Sequence, residues 1–186
     1  MSDTLEEYLN VQNPYCRILY DTVIRLKART VLEFGVGEGF STVALLAGVK
    51  ETKGVLWSVD IRIFEPGMNR IKSTPFLDTQ RWHFILLDDC EWVTIWSQSI
   101  DLLYIDSNHQ YEHTLKELEL FAPYVKPDGV ILLHDTLLTG MWDGAPARVK
   151  DAIDTFTQKN QEWVFEELLP HDPGHCGVGK LERSSL

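Results

Sequence analysis

The sequence predicts an α/β fold built on a mostly parallel sheet, and three observations predict it. Short runs rich in β-formers alternate with stretches of helical spacing. Those runs are near-continuously apolar, as strands covered on both faces are. The first of them ends in a glycine-rich turn that opens a helix.

The elements follow in order. Leu5 to Lys27 reads as a helix, with Ile18, Leu19, Val23, Ile24 and Leu26 near helical spacing and Pro14 permitted close to a helix start. Thr30 to Phe34 is the first strand, and Ser41 to Val49 the helix after the glycines. Gly54 to Asp60 is a second strand ending in an acid, Met68 to Lys72 a short helix, and Trp82 to Asp88 a third strand. Ile100 to Asp106 is a fourth. Glu112 to Phe121 is an amphipathic helix with Leu115, Leu118 and Phe121 on one side. Pro123 to Gly129 reads as a break, and Val130 to Asp135 as the fifth strand. A loop from Thr136 to Pro146 leads to a helix from Ala147 to Gln158. Trp163 to Leu169 and Val178 to Leu181 flank a turn through Pro170 to Gly174, so they should pair antiparallel.

With 186 residues the chain fits one domain, residues 1–186. Its formal net charge of -11 repels phosphate backbones and anionic lipid, which argues against nucleic acid and membrane surfaces as partners. A cationic cofactor or a divalent metal suits that field better. Cys16, Cys90 and Cys176 are odd in number and widely spaced, so no disulfide framework or zinc knuckle is expected. Neither a signal peptide nor a membrane-spanning run is visible, and a cytoplasmic setting is the default. Self-association into a homo-oligomer stays open.

Glu33, Gly35, Gly37 and Gly39 lie between a strand and a helix. Such glycines permit a tight turn and close approach of a ligand to the backbone. A dinucleotide turn has G-x-G-x-x-G and welcomes pyrophosphate at the helix N-terminus. Here the spacing is G-x-G-x-G, with Glu33 before it and Glu38 inside it. A zwitterionic cofactor with an ammonium and a sulfonium suits that acidic edge better than an anion. An NAD-dependent oxidoreductase is the rival reading of the turn. Asp60 can accept ribose hydroxyls, and Asp88 and Asp89 stand where an adenine amino group could be met.

The run Val31-Leu-Glu-Phe-Gly-Val-Gly-Glu-Gly-Phe-Ser-Thr42 resembles the first motif of class I S-adenosylmethionine (SAM)-dependent methyltransferases. The segment from Asp101 to Asp135, with Asp106, His109 and the His134-Asp135 pair, is similar to the macrocin- and mycinamicin-type sugar O-methyltransferases and the cephalosporin-hydroxylase-like proteins. The resemblance covers roughly residues 15 to 181. It implies a Rossmann-like, seven-stranded, mostly parallel sheet with helices on both faces and an antiparallel last strand. It implies SAM held by Glu33, Gly35, Gly37, Gly39 and Ser41 at the methionyl part, Asp60 at the ribose, Asp89 and Cys90 near the adenine, and Asp106 at the edge of the same set. Assigning Asp89 rather than Asp88 rests on the alignment of Asp88-Asp89-Cys90.

The metal-dependent members place one acid after the fourth strand, a histidine three residues later and an acid at the end of the fifth. Here these are Asp106, His109 and Asp135, with His134 where relatives often carry a further acid. His109 is the catalytic candidate, because a near-neutral imidazole can take the proton of a sugar hydroxyl. Asp106, Asp135 and His134 are the candidate ligands for magnesium or another divalent cation, with His134 pointing to a softer ion than magnesium. A histidine wedged between strand end and loop is the plain alternative for His134.

His113 reads as a surface or packing residue. His171, His175 and Cys176 read as an ordinary turn. Met141 and Trp142 form the apolar surface of a loop that would cover the substrate. Of Trp92 and Trp96, at least one should be core. The expected activity is O-methylation of a small hydroxylated molecule, a sugar or glycosylated metabolite. The alternatives are a SAM- or nucleoside-binding protein without transferase activity, or the oxidoreductase.

Overall fold

Strand β1 (Thr30–Phe34) is buried from its second residue onward, and the helix that follows the glycine turn is buried on every side. That helix, α2 (Phe40–Thr52), carries Val43, Ala44, Leu45, Leu46, Ala47 and Val49 in the core. A helix apolar all round has no solvent face to present. The computed structural model describes residues 5–6, 8–9, 14–142, 144–169 and 176–184. The chain forms two units, residues 1–88 and 89–186.

In the first unit, α1 (Pro14–Leu26) packs on α2, and Gly48 makes the contact close. A Cβ at residue 48 would lie 2.7 Å from a Val23 methyl. Lys27, at φ 49°, ends α1. Strands β2 (Val55–Asp60) and β3 (Trp82–Leu86) join β1 in the order β3-β2-β1, all parallel. Helix α3 (Glu65–Ser73) lies between β2 and β3 in the chain. It is longer than the expected Met68 to Lys72, because Pro66 sits in its first turn, where a missing N–H costs nothing.

In the second unit, α4 (Asp89–Trp92) precedes β4 (Ile100–Ile105), α5 (Tyr111–Phe121) and β5 (Val125–His134). A two-stranded hairpin, β6 (Met141–Trp142) and β7 (Ala145–Pro146), leads to α6 (Val149–Lys159), β8 (Trp163–Glu167) and β9 (Val178–Arg183). The strand order is β4-β5-β9-β8. β4 is parallel to β5, and β9 is antiparallel to both of its neighbours. The fold is therefore a seven-stranded, mostly parallel sheet with an antiparallel last strand and helices around it.

Three expectations are corrected. β5 begins at Val125, not Val130, because Val125 pairs with Ile100 ahead of a register shift, and Pro127 is compatible with extended backbone. The helix expected from Ala147 starts at Val149. The long loop contains the β6–β7 hairpin. The described part of the first helix starts at Pro14, with residues 5–6 and 8–9 also helical. The expected turn with His171 and His175 lies outside the described residues, as do residues 1–4, 7, 10–13, 143, 170–175 and 185–186.

The end of the second unit is fastened by one side chain. The Arg183 guanidinium donates to the carbonyls of Val125, Lys126 and Ala122 at 2.9, 2.7 and 3.2 Å, and lies 4.2 Å over the Trp163 ring. Trp92 and Trp96 are both buried and pack on each other at 4.8 Å, so both are core. No helix among the described residues is long and apolar enough to cross a membrane.

Candidate functional site

In the first unit the site is a glycine turn held by two carboxylates. Glu33 is 0% exposed. Its oxygens accept hydrogen bonds from the hydroxyls of Ser41 at 2.7 Å, Thr42 at 2.9 Å and Ser58 at 2.6 Å. A buried carboxylate is tolerated when hydroxyls replace water in this way. Trp82 Nε1–H donates in turn to the Ser58 oxygen at 3.0 Å, which fixes that hydroxyl toward Glu33. Asp60 works from the end of β2. Its Oδ2 accepts from the amides of Val36 and Gly37 at 2.9 and 3.3 Å, and its Oδ1 from the Arg62 amide at 3.0 Å. A carboxylate has about four acceptor positions, so Asp60 keeps capacity for a further hydroxyl.

Gly37 has φ 44°, and a Cβ there would meet nothing within 4 Å. The turn thus keeps an open face where a ligand can approach the backbone. Its other face is closed by α3. A Cβ on Gly67 would lie 2.0 Å from the Gly37 carbonyl oxygen. Ser58 and Gly67 were not anticipated. No sequence signal marks Gly67, because the helix expected from Met68 begins one residue after it.

In the second unit, four chemically active side chains gather at the ends of β4 and β5. Asp106 follows β4, and its Oδ2 accepts from the Tyr104 hydroxyl at 3.2 Å. Its Oδ1 lies 3.4 Å from His134 Nδ1 and 3.7 Å from His109 Nε2. Asp135 Oδ2 lies 3.1 Å from His134 Nδ1 and directly against His109 Nε2. Asp135 has φ 59°, a left-handed conformation that aspartate tolerates better than most residues and that gathers at functional sites. Its amide donates to the Gly177 carbonyl at 3.0 Å. Tyr104 could have been anticipated, since residues two apart in a strand share a face.

The loop carrying His109 is firmly held. Asn108 accepts from the Gln110 amide at 2.8 Å through its side chain, and from the Thr114 hydroxyl at 3.0 Å through its carbonyl. The His109 carbonyl accepts from the Arg148 amide at 2.7 Å. The ring itself is buried, and its Nδ1 has no hydrogen-bond partner among the described residues. Trp142, 48% exposed, meets it edge-on with ring centres 4.9 Å apart. Met141 beside it is 68% exposed, so the hairpin presents its apolar side chains outward.

Burial alone would push both histidines toward the neutral form. The carboxylates of Asp106 and Asp135 win, raising His109 to about 9 and His134 to about 10. Burial would likewise raise Asp135, but the two imidazoles hold it well below the usual carboxylate range. Cys176 is pushed up to about 11, by burial first and then by the Asp135 carboxylate beside it.

Asp89, at the start of α4, forms a separate cluster. His113 Nε2 lies 3.1 Å from its Oδ1 and 3.7 Å from Glu117 Oε1, and Ser107 donates to Glu117. Burial would raise the Asp89 carboxyl, but the hydrogen bond and charge of His113 hold it below its ordinary value. His113 is therefore more than the surface or packing residue expected. Its spacing of four residues from Glu117 puts both on one face of α5, a signal that was legible. Cys90 is buried next to Asp89.

A family model described as a methyltransferase domain matches residues 32–136, from β1 to the residue after Asp135. No curated protein sequence matches the chain. Among solved structures, the O-methyltransferase TomG of Streptomyces achromogenes, involved in tomaymycin synthesis and in complex with SAM, superposes with a TM-score of 0.72 at 13% identity, over 95% of this chain and 82% of that one. An O-methyltransferase of Bacillus cereus in complex with S-adenosylhomocysteine (SAH) gives 0.71 at 18% identity, over 98% and 91%. An SAH-bound methyltransferase of Podospora anserina gives 0.69 at 18% identity, over 98% and 88%. At such identities these likenesses establish the fold.

Proposed function

The chain belongs to the methyltransferase domain family, and on that premise we propose that it transfers the methyl group of SAM to an oxygen of a small hydroxylated acceptor, with His109 as general base. The observation that carries the reading is the His109 ring. One nitrogen rests on Asp135, and the other is buried and has no hydrogen-bond partner among the described residues. This is how an imidazole is held in one tautomer and aimed at a proton.

The sulfonium of SAM makes its methyl group electrophilic, and a hydroxyl is a poor nucleophile while it keeps its proton. Methyl transfer then needs oxygen, carbon and sulfur in line, which is positioning work. In its neutral form, which the neighbouring carboxylates disfavour below about 9, His109 takes the hydroxyl proton on Nδ1, the nitrogen without a partner among the described residues, as the bond to carbon forms. Asp135 receives Nε2–H and stabilises the resulting imidazolium.

On the cofactor side, the reading assigns the methionyl part to the glycine turn. Gly37 leaves the backbone approachable, Gly35 and Gly39 shape the turn at positive φ with Gly39 packed against α3, and Glu33, with Ser41 on its oxygen, puts negative charge behind the turn. Asp60 takes a ribose hydroxyl. Asp89 and Cys90 are assigned to the adenine end, where His113 keeps Asp89 ionised. Asp106 is shared between the cofactor and the base. The exposed Met141 and Trp142 suit an acceptor with an apolar face, a sugar ring or a glycosylated metabolite among them.

A divalent cation fits the residues present. Asp106 Oδ1, Asp135 Oδ2 and His134 Nδ1 converge within 3.4 Å for each histidine–carboxylate pair, and these three residues would hold it. When bound, such an ion lowers the pKa of a coordinated hydroxyl. The narrower likeness to macrocin-type sugar enzymes rests on Asp106, His109 and Asp135, and His134 departs from it.

Thermal shift with SAM and SAH tests the cofactor reading, since both should raise the melting temperature of the folded protein. His109→Ala should keep those shifts and lose turnover against a hydroxylated acceptor panel. An alanine variant that turns over normally removes His109 from the chemistry.

A further inference from the structure

We propose that the centre formed by Asp106, His134 and Asp135 prefers a transition ion of the zinc or cobalt type over magnesium, and that His134 Nδ1 makes the selection. The inference rests on the transferase reading only for what the ion would do, not for its binding.

The spacing is that of a metal site. Two ligand atoms about 2.1 Å from one tetrahedral ion stand roughly 3.4 Å apart. His134 Nδ1 lies 3.4 Å from Asp106 Oδ1 and 3.1 Å from Asp135 Oδ2. The side chains are already aimed. Tyr104 holds the other oxygen of Asp106, and Asp135 is set in a left-handed conformation whose amide is tied to Gly177. Asp106 and His134 are part-exposed, so an ion has a way in.

The donors are wrong for a hard ion. Magnesium demands oxygen ligands in near-ideal octahedral geometry and is reluctant to shed water. Here the His134 imidazole stands where a third carboxylate would complete an oxygen set. Imidazole nitrogen suits late first-row ions such as zinc and nickel, whereas carboxylate, carbonyl and water oxygens suit magnesium. The Cys176 thiol lying against Asp135 adds soft character to the surroundings.

A second, independent observation comes from His109. It is 6% exposed, its Nδ1 has no hydrogen-bond partner among the described residues, and its Nε2 presses on Asp135. A histidine donating to a ligand carboxylate from outside is the arrangement that orients ligands in metal centres. His109, whose ligand atom lies within 4.8 Å of those of Asp106 and Asp135, is assigned the orienting role because its Nε2 is already taken up by Asp135.

The test uses the full chain after treatment with a chelator, with no SAM and no acceptor present. Calorimetry with cobalt(II) and with magnesium should give at least a 100-fold preference for cobalt. The cobalt form should show visible d–d bands and a paramagnetically shifted, exchangeable imidazole N–H proton. His134→Asp should cut the cobalt-to-magnesium affinity ratio at least tenfold and abolish that shifted proton, while His109→Ala keeps both. Circular dichroism checks that His134→Asp folds, and His134→Gln, which offers no anionic oxygen, should lose cobalt affinity as well. Absence of cobalt uptake by the folded wild-type chain overturns the proposal, and so does an unchanged ratio in His134→Asp. SAM uptake, measured separately, decides the transferase reading independently of either result.

Discussion

The Nε2 of His109 rests on the carboxylate of Asp135 while its Nδ1 is buried without a hydrogen-bond partner among the described residues. A general base typically contributes about 10²–10⁴-fold, so His109→Ala should reduce turnover by that order with little change in SAM affinity. Asp135→Asn should fall in the same range, because the amide cannot stabilise an imidazolium. The double variant should be no worse than about the poorer single variant, since the two act as one unit. Single-turnover kinetics with saturating SAM measures all three. Independent, multiplying losses would separate the residues.

The same contact sets a pH dependence of turnover. The neighbouring carboxylates hold His109 protonated up to about 9, and only the neutral ring can accept a proton. In chelator-treated protein the rate should therefore climb as pH rises toward about 9. A divalent cation held by Asp106, His134 and Asp135 would take over the charge balance and should move that limb to lower pH. A pH–rate profile with and without cation reads both arms, and coincident profiles contradict the shift.

Stability should carry the opposite sign in the chelated protein. The folded values of His109 and His134, about 9 and about 10, lie above the ordinary histidine value of about 6.5. Raised values mean that the folded state binds protons more tightly. The contribution is fully present below about 6.5 and disappears as pH rises through about 9 to 10. Denaturant melts at pH 6, 8 and 10 should show falling stability, and Asp135→Asn should flatten the trend.

Much of this was legible because the chemistry sat on regular elements. β1 to β5 stand out as apolar runs, Asp60, Asp106 and Asp135 fall where those runs stop, and Glu33 lies one residue before the end of β1. Other features depend on contacts between segments far apart in the chain. Ser58 faces Glu33 only because β1 and β2 pair in that register, Glu33 opposite Ser58. The hairpin at Met141 and Trp142 has only two residues in each strand, too few for any periodicity to register. The early start of β5 was hidden by Pro127 and Gly129, which read as breakers although the extended backbone accommodates both.

Gly67 shows how a remote residue can govern the cofactor turn. With its Cβ position 2.0 Å from the Gly37 carbonyl, Gly67→Ala must push α3 away from the turn. Overpacking of this kind costs roughly 1–3 kcal/mol, and the turn moves with it. Urea denaturation should show the loss, and SAM affinity should fall in the folded fraction. Gly37→Ala has open space around it but must keep φ 44°. It should cost about 1 kcal/mol through backbone strain alone. Equal costs for the two would mean that the contact with α3 is not what the turn depends on.

Ser58 supports a buried charge. Its hydroxyl donates to Glu33 Oε2 and receives Trp82 Nε1–H. Ser58→Ala removes one donor from a fully buried carboxylate and leaves the indole N–H facing a methyl group. Each buried group left short of a partner costs about 1–3 kcal/mol, so a loss near the upper end is expected. Glu33→Gln in the same background should recover part of it, because a neutral amide needs fewer donors than a carboxylate. A double-mutant cycle in urea gives the coupling between the two positions directly. A coupling near zero would mean that Glu33 is satisfied without Ser58.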